Sequence, residues 1–315
     1  DPSAASRCSV AFQNMSAADD VNGDCDAGNI RKRMVKDGVV VSLLGLCETL
    51  EGGQSFSWNK TSDFSWIGSF SSKLVEIKFL EGKIFWRTSL SFPICEAELI
   101  DYLWLGPSYD EAVDNLPWRS DSVLAQCVQT LPGLTILNQP LEETLFYFLL
   151  SSAKSIPQIK EAGFLVCKNF GTPLGKNLWS FPGWKKLATL EEQDLRNLKL
   201  GYRAKYVHQV ARVFEQDPQY LSRVIQSDYE DAKSSLIKLP GVGPKIADCA
   251  LLFGGKKTQA FPIDTWISKA LDSHYNLNSL NHEQKVLFAR THFGKFCGLA
   301  QQFLFSGERL GIIKK

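Results

Sequence analysis

Ten consecutive residues, 239–248, constrain the fold of this chain more than any other segment. They read Leu-Pro-Gly-Val-Gly-Pro-Lys-Ile-Ala-Asp and separate two stretches with helical periodicity. A Gly-x-Gly turn between two helices directs backbone N–H groups outward, which favours contact with an anion such as a nucleic-acid phosphate. We therefore predict that Gly241 and Gly243 contact DNA.

Lys245 lies just after this turn, and Asp264 follows nineteen positions later. The positive end of a helix dipole favours a neutral amine, which makes Lys245 a candidate nucleophile. Asp264 precedes a helical stretch, the position of an N-cap, where a carboxylate stays ionised and fixed. It is a candidate to stabilise a cationic sugar or to assist proton transfer. The alternatives are an exposed first-turn lysine and a carboxylate that only caps its helix.

Other side chains suggest contact with a base removed from its stack. Cys249 lies four residues after Lys245, so the two share a helix face. Tyr202 and Arg203 pair an aromatic wedge with a hydrogen-bond donor, which suits an enzyme that fills the gap left by an extracted base. Gln301 and Phe305 are four residues apart, so an amide that can pair with the polar edge of a purine projects beside a ring that can stack on its face. Spacing alone favours the alternative, in which Gln301 faces solvent and Phe305 packs in the core.

The charge of the chain is unevenly distributed. The 315 residues carry a net charge of +1, but residues 200–315 contain 16 Lys and Arg against 10 Asp and Glu. A locally positive face is sufficient for phosphate contact. No apolar run approaches the roughly 20 residues of a membrane span, so we expect a soluble protein.

The eight cysteines show no metal-binding pattern. They form no Cys-x-x-Cys and no Cys/His cluster, and the last seventy residues contain only Cys249 and Cys297. We therefore expect reduced thiols in an intracellular protein, with neither a zinc site nor an iron–sulfur cluster.

Changes in periodicity predict the fold class. Residues 1–38 lack periodicity and are expected to be a disordered extension. Strand signals dominate from Val39 to about Thr88, and Glu81-Gly82 forms a tight turn between two alternating runs. Helical periodicity follows from Cys95 onward. We predict an α+β fold, with an antiparallel sheet and trailing helices in 39–138 and a helical domain in 139–315.

Taken together, these residues resemble the 8-oxoguanine DNA glycosylases of the helix–hairpin–helix superfamily, the bifunctional glycosylase/AP-lyase kind. The resemblance runs from about Leu46 to Leu310. Its most specific segments are 53–58, 200–207, 239–249, 261–266 and 300–306. The hairpin with Lys245 and Asp264 indicates only the superfamily, whereas the residues of the base pocket narrow the match to the 8-oxoguanine branch.

The resemblance implies a twisted antiparallel sheet packed on a helical bundle, and a role for each matching residue. Lys245 would attack the sugar C1′ and form a Schiff base that leads to β-elimination, with electrostatic support from Asp264. The implied 8-oxoguanine pocket consists of Gly53, Cys249, Gln301 and Phe305. Within it, the Gly53 carbonyl would accept the N7–H that guanine lacks, Cys249 and Phe305 would sandwich the base, and Gln301 would bind its Watson–Crick edge.

The same resemblance implies contacts to the duplex. Tyr202 would wedge into the stack, and Arg203 would hold the estranged cytosine. The backbone carbonyls of Ile237, Leu239 and Val242 would bind a monovalent cation at the hairpin, with no other cofactor. The implied partner is double-stranded DNA containing 8-oxoguanine, bound by a monomer in the nucleus or the nucleoid.

Some positions on the DNA-facing side depart from the family. Ala153-Lys154-Ser155 and Gln158 replace an asparagine run and an arginine on the side of the opposite base. Lys154 and Gln158 remain candidate DNA contacts, but we expect weaker discrimination among the bases opposite the lesion. Trp266 replaces a smaller polar ring at a position that contacts phosphate.

Two other functions remain open on the sequence alone. One is a glycosylase of the same fold for another damaged purine, such as an alkylated base, although such relatives generally lack the hairpin lysine. The other is a non-catalytic DNA-binding protein with a helix–hairpin–helix, which would require neither Lys245 nor Asp264.

Overall fold

A computed structural model describes residues 33–34, 41–89 and 93–314. The extension predicted for residues 1–38 lies outside the described residues, apart from Arg33 and Met34, which form a short strand. No helix in the described part of the chain has the length and apolar character needed to cross a membrane.

The strands near the N-terminus form one antiparallel sheet with the order β1-β5-β4-β3-β2. The strands are β1 (Arg33–Met34), β2 (Asn59–Ser62), β3 (Ser65–Phe70), β4 (Lys73–Leu80) and β5 (Lys83–Thr88). Glu81 and Gly82 connect β4 to β5 with φ angles of 51° and 74°. Because alternation and turn chemistry agree in this segment, the predicted hairpin is confirmed.

The strand signal that begins at Val39 is interrupted by a helix, α1 (Leu43–Glu51). The sequence analysis, in which strand signals dominate this segment, did not predict the helix. Ser42 caps the helix by accepting the N–H of Gly45 at 2.9 Å, and Leu46 and Leu50 are buried on one face. Capping and the spacing of these leucines outweigh the β-branched residues that precede them.

The remaining chain is mostly helical. Its helices are α2 (Glu96–Leu103), α3 (Pro107–Asn115), α4 (Ser122–Thr130), α5 (Leu141–Leu150), α6 (Ile156–Phe170), α7 (Trp184–Leu187), α8 (Glu192–Leu195), α9 (Arg203–Gln216), α10 (Tyr220–Gln226), α11 (Tyr229–Ile237), α12 (Pro244–Gly254), α13 (Thr265–His274), α14 (His282–Phe293) and α15 (Cys297–Leu310). Short 3₁₀ turns occupy Pro117–Arg119 and Gly294–Phe296, and a kinked π-helical turn occupies Arg196–Leu200. A two-stranded hairpin, β6 (Pro173–Gly175) and β7 (Leu178–Trp179), interrupts the helices, which the helical periodicity did not predict.

Two clusters of buried side chains hold these elements together. The sheet and α2 bury three tryptophans, and the Phe70 ring stacks on Tyr102 with centroids 4.0 Å apart. The second cluster fills the helical part. In this part α12 packs closely along α5: at one end of the pair, a Cβ atom on Gly254 would lie 2.8 Å from the Leu141 Cα. The predicted α+β fold, a sheet beside a larger helical part, is confirmed.

Candidate active site

The glycine hairpin connects α11 to α12. Gly241 has a φ of 79°, and a Cβ atom there would lie 2.5 Å from Tyr206 Cγ, so this position requires glycine. A Cβ atom on Gly243 would meet nothing within 4 Å. Gly243 is also the N-cap of α12 and has no side chain to cap the helix. The first N–H groups of α12 are therefore oriented for an external anion.

Lys245 is the second residue of α12 and is half-buried. Its Nζ donates to Ser151 Oγ at 3.4 Å and lies 5.3 Å from the centroid of the Phe148 ring. Ser151 is the C-cap of α5, so the packing of α5 along α12 fixes the position of the amine. The amine thus lies at the junction of two helices instead of extending into bulk solvent.

Cys249 lies one turn after Lys245 and is 3% exposed. Burial raises the pKa of its thiol to about 12. The positive charge of Lys245 partly offsets this rise, and the negative charges of Asp248 and Asp264 add to it. The thiol is therefore protonated at neutral pH. Since Lys245 and Asp264 both act on this thiol, the structure brings the three predicted residues together.

Asp264 is the N-cap of α13. Its Oδ1 accepts the N–H of Ile267 at 2.8 Å, as its position in the sequence predicts. The side chain is half-buried. Asp264 and Lys245 do not form an ion pair with each other in the part of the chain that the structure describes. The carboxylate is thus held by its own helix, and its charge contributes to the raised pKa of the Cys249 thiol.

Gly53 follows α1 in a loop with a φ of 102°, and a Cβ atom there would lie 2.9 Å from Ile156 Cδ1. The adjacent Gln54 is buried and anchors the loop. Its Nε2 donates to the Thr135 carbonyl at 2.8 Å, and its Oε1 accepts the N–H of Leu137 at 2.8 Å. The sequence analysis missed Gln54. Its role depends on burial and on partners more than 80 residues away, which no local sequence pattern indicates.

Gln301 and Phe305 lie on one face of α15. Gln301 is 4% exposed, so the expectation from spacing alone that it faces solvent is wrong. Its Nε2 donates to the Pro262 carbonyl at 3.1 Å, two residues before Asp264. Phe305 is half-buried, and the guanidinium of Arg309 lies 5.8 Å from its ring. Thus α15 presents a fixed amide, together with a ring that is partly accessible.

Tyr202 and Arg203 begin α9 and differ strongly in exposure. Tyr202 is 50% exposed, as a wedge requires, whereas Arg203 is 6% exposed. The guanidinium lies 4.4 Å from the Tyr202 ring, and its Nε has no hydrogen-bond partner in the segments that the structure describes. Arg203 therefore keeps an unused donor but is covered by its neighbour.

The other predicted DNA contacts already have partners within the chain. Lys154 donates to the Lys199 carbonyl at 3.1 Å, and burial together with the charge of Arg203 lowers its pKa. The exposed Gln158 caps α6, since its Oε1 accepts the N–H of Ser155 at 2.9 Å. Trp266 is 38% exposed, with the Lys269 amine 5.7 Å from its ring.

The hairpin also contains the carbonyls predicted to bind a monovalent cation. The Leu239 carbonyl accepts the N–H of Val242 at 3.1 Å and keeps a second lone pair, and Ile237 ends α11. Neutral backbone oxygens suit a monovalent cation, so these residues fit the group. Within the described residues, no cluster of His, Cys, Asp or Glu side chains could hold a metal ion.

Comparison with known proteins assigns two segments of the chain to known domain families. Residues 39–145 match the 8-oxoguanine DNA glycosylase N-terminal domain, and residues 157–294 match the HhH-GPD superfamily of base excision DNA repair proteins. A probable N-glycosylase/DNA lyase of Methanothermobacter thermautotrophicus is 39% identical over 116 residues, which are 37% of each chain. The N-glycosylase/DNA lyase OGG1 of Arabidopsis thaliana is 27% identical over 279 residues, which are 82% of this chain and 76% of the relative.

A solved structure extends the similarity to the three-dimensional fold. The 8-oxoguanine glycosylase/lyase of Clostridium acetobutylicum, bound to double-stranded DNA with cytosine opposite 8-oxoguanine, superposes with a TM-score of 0.80. It is 28% identical, and the match covers 92% of this chain and all of that one. The chain belongs to the 8-oxoguanine DNA glycosylase family of the HhH-GPD superfamily.

Proposed function

We propose that this chain is a DNA glycosylase and AP lyase that removes 8-oxoguanine from duplex DNA and then cleaves the strand. One observation carries the proposal: the half-buried amine of Lys245 lies beside the protonated thiol of Cys249, within the influence of Asp264. A half-buried amine suits attack on a sugar carbon, and a carboxylate whose charge reaches the same site suits stabilisation of a cationic sugar. The names of the relatives support 8-oxoguanine as the substrate.

The reaction begins after the damaged nucleotide has left the base stack. Neutral Lys245 attacks C1′, the N-glycosidic bond breaks, and its electrons leave with the base, which takes up a proton. Asp264 stabilises the positive charge that develops on the sugar. Ring opening gives a Schiff base between Lys245 and C1′, and loss of a C2′ proton then expels the 3′ phosphate.

Selection of the base depends on the Gly53 carbonyl. In 8-oxoguanine N7 carries a hydrogen that this carbonyl accepts, whereas in guanine N7 presents a lone pair to it. A buried acceptor without a donor costs about 1–3 kcal/mol before repulsion is counted. The hydrogen bonds of Gln54 support this role because they restrict the movement of the loop.

The remaining contacts orient the duplex. Exposed Tyr202 fills the gap in the stack, while Arg203 uses its free donor on the estranged base once the Tyr202 ring has moved. The N–H groups after Gly243 bind a backbone phosphate. A monovalent cation on the carbonyls of Ile237, Leu239 and Val242 would supply positive charge between the hairpin and that phosphate.

The direct test replaces the nucleophile. Lys245→Gln should retain most of the affinity for an 8-oxoguanine duplex but lose covalent trapping by borohydride, because an amide cannot form an imine. Lys238→Gln, which changes an exposed lysine of the same hairpin, is the matched control and should trap like the wild type.

Each of the other outcomes would indicate a different nucleophile, substrate or function for this chain. Persistent trapping of Lys245→Gln would mean that another amine attacks the sugar. If borohydride trapped the wild type on a duplex with an alkylated purine but not on one with 8-oxoguanine, the proposed substrate would be wrong. If it bound duplex DNA without any trapping or base release, the chain would be a DNA-binding protein.

A further inference from the structure

A cavity of about 380 Å³ lies between the sheet and helices α5 and α6. Its lining shares no residue with the proposed base pocket. Four of its walls are the rings of Phe56, Tyr147, Phe164 and Trp179. Pockets of this volume, with aromatic walls and a few polar groups, are typical of small-molecule sites.

Glu143 is the polar group in this cavity that most needs a partner. Its carboxyl forms no hydrogen bond and no ion pair with any residue that the structure describes. Burial alone raises its pKa to about 7, and no neighbouring cation counteracts that shift. Glu143 is half-buried, so its carboxyl still reaches water, and a ligand with matching N–H donors would replace that water.

The other ionisable groups of the lining already have partners. The Lys160 amine donates to the Trp58 carbonyl at 2.6 Å, and Glu161 pairs with Lys199 at 2.5 Å. The Tyr147 hydroxyl lies 4.0 Å from the thiol of Cys167, and burial raises the pKa of both groups, so that both are neutral. Glu143 is thus the ionisable group of the lining that has no partner in the described residues.

We propose that this cavity binds a small planar cation with adjacent N–H donors, such as an arylamidine or an aminoheterocycle. Two parallel N–H groups match the two oxygens of the Glu143 carboxylate. The aromatic walls suit a flat, positively charged ring, because the faces of aromatic rings attract cations. The Glu143 carboxylate disfavours an anion at the same position.

The test uses benzamidine as the probe. Isothermal titration calorimetry of the whole chain at pH 8 should detect one binding site in the wild type. Glu143→Gln should weaken benzamidine binding at least tenfold, because the amide is uncharged and offers one acceptor instead of two. Glu142→Gln, which changes the exposed neighbour on the same helix, is the matched control and should stay within twofold of the wild type.

Further measurements decide whether the cavity itself is occupied. Benzoate should not bind, and Phe164→Ala should weaken benzamidine at least threefold by removing an aromatic wall. This second variant also serves if Glu143→Gln fails to fold. Equal affinity of Glu143→Gln and the wild type, or a crystal structure with benzamidine against Phe305 instead of Glu143, would overturn the proposal.

Discussion

Gly53 illustrates how much of the proposed chemistry depends on a single residue. The discriminating group is a backbone carbonyl, so its position is set by the loop and not by a side chain. The φ of 102° is unfavourable for any residue with a Cβ atom, and Ile156 occupies the space that such an atom would need. The loop therefore depends on glycine for both conformation and space.

Gly53→Ala should lower kcat/KM for an 8-oxoguanine duplex at least tenfold, because the shifted loop misdirects the carbonyl. Gly82→Ala is the control, since Gly82 also has a positive φ of 74° but a Cβ atom there meets nothing within 4 Å. Single-turnover base release on 8-oxoguanine and unmodified duplexes measures both variants. Wild-type activity of Gly53→Ala would contradict a role for this carbonyl.

The residues on the side of the opposite base predict relaxed pairing specificity. The Lys154 amine donates to a backbone carbonyl and the Gln158 amide oxygen caps a helix, so each side chain spends one of its polar groups within the protein. Rates of excision from 8-oxoguanine opposite each of the four bases should differ by less than about tenfold, which corresponds to about 1.4 kcal/mol. A strict preference for cytosine would contradict this expectation.

At the scale of elements, the two helices of the hairpin are joined by a buried ion pair. Asp248 on α12 is fully buried, and its Oδ2 accepts from the Lys233 amine of α11 at 2.9 Å. Its Oδ1 accepts from the Tyr229 hydroxyl at 2.7 Å. This network fixes the angle between the helices, and with it the direction of the Lys245 side chain one turn before.

Lys233→Met should lower the free energy of unfolding by about 3–5 kcal/mol, because Asp248 is then left as a buried, uncompensated charge. Urea denaturation at pH 7 measures the change. Asp217→Asn, which breaks the exposed pair with Arg223, serves as the comparison and should have a much smaller effect. A Lys233→Met midpoint equal to that of the wild type would mean that the pair does not hold the hairpin.

At the scale of the whole molecule, the sequence predicted what depends on local chemistry. The hairpin of β4 and β5 and the cap at Asp264 follow from alternation, turn residues and capping. Helix α1 was missed because burial against distant residues stabilises it. The burial of Gln301 was missed as well, because its partner, the Pro262 carbonyl, is 39 residues away.

Glu48 and Arg309 form an ion pair that joins the first helix of the described chain to the last. The guanidinium contacts both carboxylate oxygens, at 2.6 and 2.5 Å, across 261 residues of sequence. Glu48 lies on α1, just before the loop of Gly53, and Arg309 lies over the Phe305 ring. The pair therefore connects two walls of the proposed base pocket.

A double-mutant cycle with Glu48→Gln and Arg309→Met should give a coupling energy of about 0.5–3 kcal/mol, measured by denaturation. Each single variant should also lose 8-oxoguanine excision, because the two walls can then separate. The pair of Lys60 and Asp63, which are three residues apart at the surface, is the comparison and should show almost no coupling. Additive effects at Glu48 and Arg309 would contradict the link.

The protonated thiol of Cys249 has a consequence for the conditions in which the protein works. Peroxides attack the thiolate and hardly react with the thiol, so a pKa of about 12 leaves almost no reactive form at neutral pH. The sulfur beside Lys245 is thus held in a form that peroxides hardly oxidise.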